Sequence, residues 1–224
     1  LNDSTLSNWK NYAVNWVTDT ASATFKGTLL GEGHTVKGLY YNGTSARASL
    51  LKNTSGNVKI SRLVLDGVYI KTSGYGPAAF VGNSDGSLQF VECYVTNSSI
   101  TSTYNSSGDK GAGGFVGYGT AAVEIEDSAY IGTVTAPDLA GAFIGNCWTI
   151  GVHSVKNSFT NADIPFCKKR TINTNSANNY GVNDSLIQPG VTIIADSQMK
   201  GTAAIDNMPN LDWGRTWKTN KNGY

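Results

Sequence analysis

The chain has 224 residues, of which 15% are charged, and its formal net charge is +1. Nucleic acids and anionic membranes usually require a clustered basic face, so this charge balance speaks against both partners. No run of about 18 apolar residues is present, so we expect no membrane insertion. The 26 glycines and the abundant Asn, Ser and Thr are typical of extracellular all-β proteins. No signal peptide is recognisable, and we expect this chain to be part of a longer exported protein.

The first residues, 1–24, do not share the pattern of the rest and are predicted to form an N-terminal cap containing Trp9 and Trp16. A short helix beginning at Ser4 or Ser7 is expected within this cap. Such a cap covers the open end of a stack of strands, which would otherwise expose apolar side chains and unpaired strand edges.

Four apolar segments repeat one pattern across residues 25–165, and a second apolar segment follows each of them. The central residues of the four segments are 30, 35 and 28 positions apart. A period of this size indicates a repeat architecture, in which each unit buries its apolar face against its neighbours. We therefore predict a single domain over 1–224 whose body is a stack of about four to five β rungs. The repeated positions are Leu50, Phe80, Phe115 and Phe143, followed by Val58, Leu88, Val123 and Val152.

Alignment of the units at the second set of positions produces a column that contains only Gly and Asn. Both residues tolerate a positive φ, so this column predicts a left-handed corner between two strands. The glycine after each Phe-Val or Phe-Ile pair predicts another corner, with Lys52 as the exception. The first corner column is Gly67, Asn97, Gly132 and Asn161, and the second is Gly82, Gly117 and Gly145.

A charged column runs through the same alignment. At a rung spacing of about 4.8 Å, Arg62 over Glu92 and Asp127 under Lys156 would be favourable pairs. We interpret this column as a solvated outer ladder, worth roughly a few tenths of a kcal/mol per pair. The alternative is that Glu92 and Asp127 form a functional carboxylate pair.

The length differences between the units fall in one connecting segment per rung. These segments, 71–77, 101–112 and 135–140, are rich in Ser, Gly, Thr, Tyr and Asp, so we predict surface loops along one edge of the stack. Aromatic residues in or beside the loops can stack on sugar rings or anchor a protein, and they are our candidate ligand-binding residues. Alternatively, they only cover loop bases and rung ends. They are Tyr75, Tyr104, Tyr118 and Trp148.

The last part of the chain, 166–224, is predicted to be a C-terminal capping segment. A short helix is expected over 196–207, and the segment 211–217 is expected to plug the last rung. The apolar side of that helix would consist of Met199, Ala203, Ala204 and Met208.

Few residues of this sequence point to chemistry. The three cysteines are an odd set: Cys147 and Cys167 form a disulfide or, like Cys93, are small buried apolar residues. His34 is expected to make a structural hydrogen bond, and His153 is expected on a solvated face. No metal-ligand spacing, nucleotide loop or nucleophile motif occurs, so we predict no catalytic residue, metal or cofactor.

Carbohydrate-cleaving β-helix enzymes are the enzymatic alternative, because they use stacked β rungs as their scaffold. They need paired carboxylates, or a basic residue near bound calcium, on one face. Acidic residues are sparse in the repeat body of this chain. Their one cluster is Asp66, Glu92, Glu124, Glu126 and Asp127.

The segment 31–39, Gly-Glu-Gly-His-Thr-Val-Lys-Gly-Leu, and the Gly-Phe-Val-Gly units after it resemble the GLUG-repeat proteins of bacterial surfaces. The closing segment 199–224 is similar to the one that ends such arrays, so the resemblance covers about residues 25–224. The sequence departs from the family pattern at Leu30, where the family usually has Asp, and at Lys52, where it usually has Gly.

The resemblance implies a right-handed parallel β-helix, an all-β solenoid, within a large secreted or wall-attached bacterial protein. In that family the region is usually an accessory one and supplies no general catalytic motif. We therefore predict a non-catalytic module that binds a host or matrix glycan or protein, or that spaces another domain from the cell. The alternatives are a polysaccharide-active β-helix enzyme and an accessory domain of a surface peptidase.

Overall fold

The computed structural model describes residues 8–16, 23–105, 111–149, 152–168, 172–183, 188–220 and 223–224, apart from the side chain of Cys147. Within these residues the helical elements are two 3₁₀ turns, Trp9–Asn11 and Asp196–Met199, and one helix, α1 (Ala203–Asn207). The strands in chain order are β1 (Thr24–Leu30), β2 (Thr35–Lys37), β3 (Tyr40–Gly43), β4 (Leu51–Ser61), β5 (Val64–Asp66), β6 (Tyr69–Thr72), β7 (Val81–Ser84), β8 (Leu88–Val91), β9 (Tyr94–Ser102), β10 (Ala112–Gly113), β11 (Val116–Gly119), β12 (Val123–Glu126), β13 (Ala129–Thr135), β14 (Ala140–Gly141), β15 (Ile144–Cys147), β16 (Ser154–Lys156), β17 (Phe159–Thr160), β18 (Asn179–Gly181) and β19 (Val191–Ile193).

The strands pair in parallel and stack as the rungs of a β-helix. One sheet has the order β15-β11-β7-β4-β8-β12-β16, and β1 also pairs with β4. The second sheet has the order β19-β18-β17-β13-β9-β5-β2, and β6 pairs with both β3 and β9. The short strands β10 and β14 pair with each other. The chain is thus a β-solenoid of about four turns, which confirms the predicted parallel β-helix.

A stack of phenylalanine rings runs through the interior of the solenoid. Phe80, Phe115 and Phe143 are fully buried, and successive ring centroids are 5.0 and 5.2 Å apart. Phe166 continues the stack, with its ring centroid 4.9 Å from that of Phe143. These distances follow from the rung spacing of about 4.8 Å. Because burial of one such ring contributes roughly 1.5–3 kcal/mol, the repeated Phe is a substantial part of what holds successive rungs together.

The predicted Gly/Asn column has positive φ in three of its four units, and a second column of positive φ, which the sequence pattern does not indicate, forms the corner between the two main sheets. Its residues are not glycine, yet they have φ values of 49–57°. In the predicted column Gly67, Asn97 and Gly132 have positive φ, but Asn161 does not. The corner column contains charged and amide side chains, so composition did not identify it, although Asn and Asp are the residues that best tolerate this conformation. The corner residues are Glu32, Arg62, Glu92, Asp127, Asn157 and Asn178.

The fourth unit is shifted by one residue relative to the predicted alignment. Strand β16 pairs with β12 so that Val155 lies opposite Ile125. His153 therefore takes the column of Val123, and its side chain is only 1% exposed. The expectation that His153 lies on a solvated face is wrong, and Val152 is the exposed residue instead. More residues separate β15 from β16 than separate β7 from β8 or β11 from β12, and an alignment by apolar residue type hides the shift.

The same shift changes the charged column. Arg62 Nε lies 3.7 Å from Glu92 Oε2, which confirms that predicted pair. Lys156, however, lies opposite Glu126 in the sheet register, so its predicted pairing with Asp127 is wrong. The Arg62–Glu92 pair is exposed to solvent, and its contribution to stability is correspondingly small.

Small polar side chains follow the corner inside the solenoid. The Ser128 hydroxyl accepts a hydrogen bond from the Cys93 main-chain N–H at 3.1 Å, and the Ser158 hydroxyl accepts one from the Ser128 N–H at 3.1 Å. Asn179 repeats the contact with Ser158 at 3.2 Å. Cys93 precedes Ser128 in this column and is a free, buried thiol whose pKa burial raises to about 11, so its role is structural. Cys167 is disulfide-bonded.

The repeated glycines of the Phe-Val-Gly units lie within strands and do not form the predicted second corner. Gly82, Gly117 and Gly145 have no positive φ. A Cβ atom on each would lie 2.5, 2.2 and 2.5 Å, respectively, from the main-chain oxygens of Arg47, Gly76 and Ala112, which belong to the segments that follow the second sheet in neighbouring rungs. Glycine is therefore required because the backbone of these segments packs directly on these strands.

The segment 211–217 packs on the outside of the second sheet and does not plug the last rung. Phe166 and strands β18 and β19, earlier in the chain, continue the solenoid instead. Leu211 and Trp217 join Met199 and Met208 in an apolar cluster separate from the solenoid interior. The Trp217 ring lies 5.1 Å from that of Phe159, which the outer face of the sheet presents. Successive strand residues point to opposite faces, so this outer apolar column would be exposed to water without the cover.

The N-terminal residues lie against the first rungs. Trp9 is buried, and its ring contacts Tyr40 edge-to-face at 5.8 Å. The Trp16 main-chain N–H donates to the Tyr40 carbonyl oxygen at 2.8 Å. The predicted helix start at Ser4 or Ser7 lies outside the described residues.

Candidate binding site on the loop edge

Two of the candidate aromatic residues lie in loops of neighbouring rungs. Tyr75 follows β6, Tyr104 follows β9, and both are partly buried. Their ring centroids are 5.5 Å apart with an interplanar angle of 65°, an edge-to-face arrangement. The two loops are shorter than predicted, because β6 and β9 extend two residues into them. The parallel stacking of the rungs thus brings two tyrosines together that are distant in the sequence.

The other two candidates form a second pair. Tyr118 lies within β11 and not in a loop, whereas Trp148 directly follows β15 on the next rung. Their ring centroids are 6.2 Å apart. The Trp148 main-chain N–H donates to the Gly119 carbonyl oxygen at 3.1 Å, which fixes the backbone beside Tyr118. The Trp148 side chain is 47% exposed, a large apolar area open to solvent.

Arg47 links the two aromatic pairs. Its guanidinium carbon lies 5.5 Å from the centroid of the Tyr75 ring, within the range of a cation–π contact. Its charge also lowers the pKa of the Tyr118 hydroxyl. We call the surface formed by Arg47, Tyr75, Tyr104, Tyr118 and Trp148 the aromatic edge.

Arg47 is held in place and has an acidic counterpart. Its Nη1 donates to Asn53 Oδ1 at 2.7 Å. Burial raises the pKa of the Tyr118 hydroxyl, Asp85 adds to the rise, and Arg47 opposes it. The hydroxyl is therefore neutral at physiological pH and can both donate and accept a hydrogen bond. The sequence pattern does not indicate Arg47, because this residue precedes the first, atypical repeat unit, where Lys52 replaces the glycine.

The candidate carboxylate pair lies at the left-handed corner. Glu92 and Asp127 occupy the corner in adjacent rungs, and the Glu92 carboxylate pairs with Arg62. Burial raises the pKa of Asp127, a hydrogen bond from Asn157 lowers it, and Glu126 raises it further. Burial is thus the main cause of the raised pKa of Asp127, and the neighbouring carboxylates add to it.

Both histidines have a structural setting. The His153 Nδ1 accepts a hydrogen bond from the Val123 main-chain N–H at 3.2 Å, and burial lowers the imidazole pKa to about 4. Its Nε2 is buried, and the Thr149 main chain partly opposes the lowering of the imidazole pKa. His34 is exposed, and its main-chain N–H donates to the Gly31 carbonyl oxygen at 2.7 Å.

The aromatic edge thus combines one exposed ring, that of Trp148, with three partly buried tyrosine rings and one fixed guanidinium, an arrangement suited to stacking and hydrogen bonding. In the part of the chain that the structure describes, no group of three or more His, Cys, Asp or Glu side chains is placed to hold a metal ion. The described helices are all too short to cross a membrane. No family model, curated protein or solved structure matches this chain.

Proposed function

We propose that this chain is a non-catalytic binding module of a secreted or cell-surface protein, with the aromatic edge as its ligand-binding surface. The observation that carries the proposal is the exposed Trp148 ring beside Tyr118, with Arg47 linking this pair to Tyr75. Sugar rings and apolar protein side chains both stack on such aromatic faces, and a guanidinium adds directional hydrogen bonds.

The proposed ligand is a glycan or a protein of a host or its matrix. Loops on a rigid scaffold are a common place for binding residues, and here each rung adds its own loop to one edge. The resemblance of residues 25–224 to GLUG-repeat proteins supports a bacterial module that is extracellular or attached to the cell wall. In such a setting adhesion is the natural role of a non-catalytic surface.

A glycan array together with a pull-down from matrix proteins tests the proposal. The test variant is Tyr118→Ala/Trp148→Ala, and the matched control is Tyr12→Ala, another exposed aromatic residue. We expect at least one ligand, bound by the native chain and the control but not by the double variant. Binding that the double variant retains, or the absence of any ligand, would contradict the proposal.

A polysaccharide-active enzyme is the second candidate, because Glu92 and Asp127 occupy one corner of adjacent rungs and burial raises the pKa of Asp127. Release of reducing sugar from acidic polysaccharides tests this function, with Asp127→Asn as the variant. Release that the variant abolishes would contradict the non-catalytic assignment. If neither binding nor release is found, a spacer or an accessory domain of a surface peptidase becomes the better account.

A further inference from the structure

Two buried asparagine side chains beside the aromatic edge have amide atoms without hydrogen-bond partners among the described residues. Asn146 is fully buried, and neither its Nδ2 nor its Oδ1 has a partner. Asn83 is 1% exposed, and its Nδ2 has none. An amide buried without partners is unfavourable for folding, because it loses its hydrogen bonds to water. Such groups in a folded chain call for an explanation outside the fold itself.

The sheet register places both asparagines next to Tyr118. Strand β11 lies between β7 and β15, with Tyr118 opposite Asn83 on one side and Asn146 on the other. Residues at the same register position of adjacent parallel strands project to the same face of the sheet. The two amides therefore flank the Tyr118 side chain at the rung spacing of about 4.8 Å, and Trp148 lies two residues after Asn146.

We infer that the aromatic edge binds a neutral pyranose sugar, whose ring stacks on Tyr118 and Trp148 and whose hydroxyls hydrogen-bond to Asn83 and Asn146. This inference rests on the proposed binding function and adds the class of ligand. An asparagine amide both donates and accepts, as a sugar hydroxyl does, so the two groups match. Both amides are buried in the free chain, so the inference requires a local rearrangement that opens them to the sugar while its ring stays in contact with Tyr118 and Trp148.

The charges around the site favour a neutral sugar over an acidic one. Arg47 and Asp85 act on the Tyr118 hydroxyl in opposite directions, so neither sign dominates there. Arg47 is already engaged, since its Nη1 donates to Asn53 Oδ1. A carboxylate sugar would have to compete with that bond and would meet the Asp85 charge.

Calorimetric titration tests the inference with four probes: cellohexaose, mannohexaose, chitohexaose and hexagalacturonate. The variants are Asn146→Ala and Asn83→Ala, and the matched control is Asn57→Ala, an exposed asparagine in β4. We expect at least one of the three neutral oligosaccharides to bind. Each test variant should weaken that binding at least tenfold, and the control should leave it unchanged. Because each variant removes an unsatisfied amide, its melting temperature should not fall below that of the native chain.

Three results would overturn the inference. They are binding of hexagalacturonate alone, no binding of any probe, and neutral-sugar binding that both asparagine variants retain. In the last case, loss of binding in Tyr118→Ala/Trp148→Ala would leave the aromatic edge as the site and remove only the role of the amides. The array or the pull-down can separate failure of this inference from failure of the proposed binding function in the same way. A ligand whose binding depends on the two aromatic residues but not on the amides would overturn only the inference.

Discussion

Acidification tests the buried position of His153, which the structure places in the column of Val123 inside the solenoid. Burial lowers its pKa from 6.5 to about 4. The unfolded chain therefore binds a proton at this residue well before the folded chain does. The resulting contribution to stability is fully present above pH 6.5 and is lost as the pH falls towards 4.

The size of this loss follows from the two pKa values. A difference of one pKa unit corresponds to about 1.4 kcal/mol. If His153 is fully protonated in the unfolded chain but not in the folded chain, the free energy of unfolding therefore falls by about 3 kcal/mol. Between pH 7.5 and pH 4.5 the linkage relation gives a loss of about 2.5 kcal/mol from His153. The imidazole is almost fully buried, so solvent screening does not reduce this figure much.

Urea unfolding of the native chain and of His153→Val at both pH values provides the assay. Val58 and Val123 occupy this column in other rungs, so a valine at position 153 keeps an apolar side chain there. We expect the native chain to lose about 2.5 kcal/mol more than the variant on acidification. His34→Ala, a change at the exposed histidine, should behave like the native chain. Equal losses in the native chain and His153→Val would refute the buried placement.

Three further changes test the packing and the corner. Phe115→Ala should lower the free energy of unfolding by about 3–5 kcal/mol, and a loss below about 1 kcal/mol in urea unfolding would contradict the ring stack. Gly117→Ala should cost about 1–3 kcal/mol through collision with the Gly76 backbone, whereas Gly214→Ala, which has room for a Cβ, should be neutral by the same assay. Asp127→Asn should raise the free energy of unfolding at pH 7, because the pKa of Asp127 is raised in the folded state. This gain should disappear on acidification to pH 3, and an unchanged gain at pH 3 would contradict this explanation.

The stacking of the rungs could be predicted because the repeated Phe and its following strand recur at nearly constant positions. The register of the fourth unit could not, since Val152 looks more like a core residue than His153 does. Hydrophobic periodicity identifies buried positions by their apolar residues. His153 is a buried polar residue that accepts a main-chain hydrogen bond, so periodicity does not identify its position. The corner between the two main sheets could not be predicted for a related reason: Arg62 and Glu92 adopt positive φ there, although Gly and Asn are the residues expected in that conformation.

The candidate site was predictable in part. The loop tyrosines and Trp148 were identified as aromatic residues along one edge, and the structure brings them together in two pairs. Arg47 was not identified, because its contacts to Tyr75 and Asn53 depend on how adjacent rungs stack. Asn146 is not predicted either, since an asparagine next to the corner expected at Gly145 is usually read as a turn residue. Its burial beside Tyr118 emerges only from the sheet register.

The central claim, that the aromatic edge binds a ligand, is tested most directly by NMR titration of the ¹⁵N-labelled chain. The titrant is the strongest glycan or protein found by the array or the pull-down. We predict that the largest shifts occur at the indole N–H of Trp148 and at the main-chain amides of Tyr75, Tyr104 and Tyr118. Shifts confined to another surface, such as the exposed face of β8 and β12, would contradict the account.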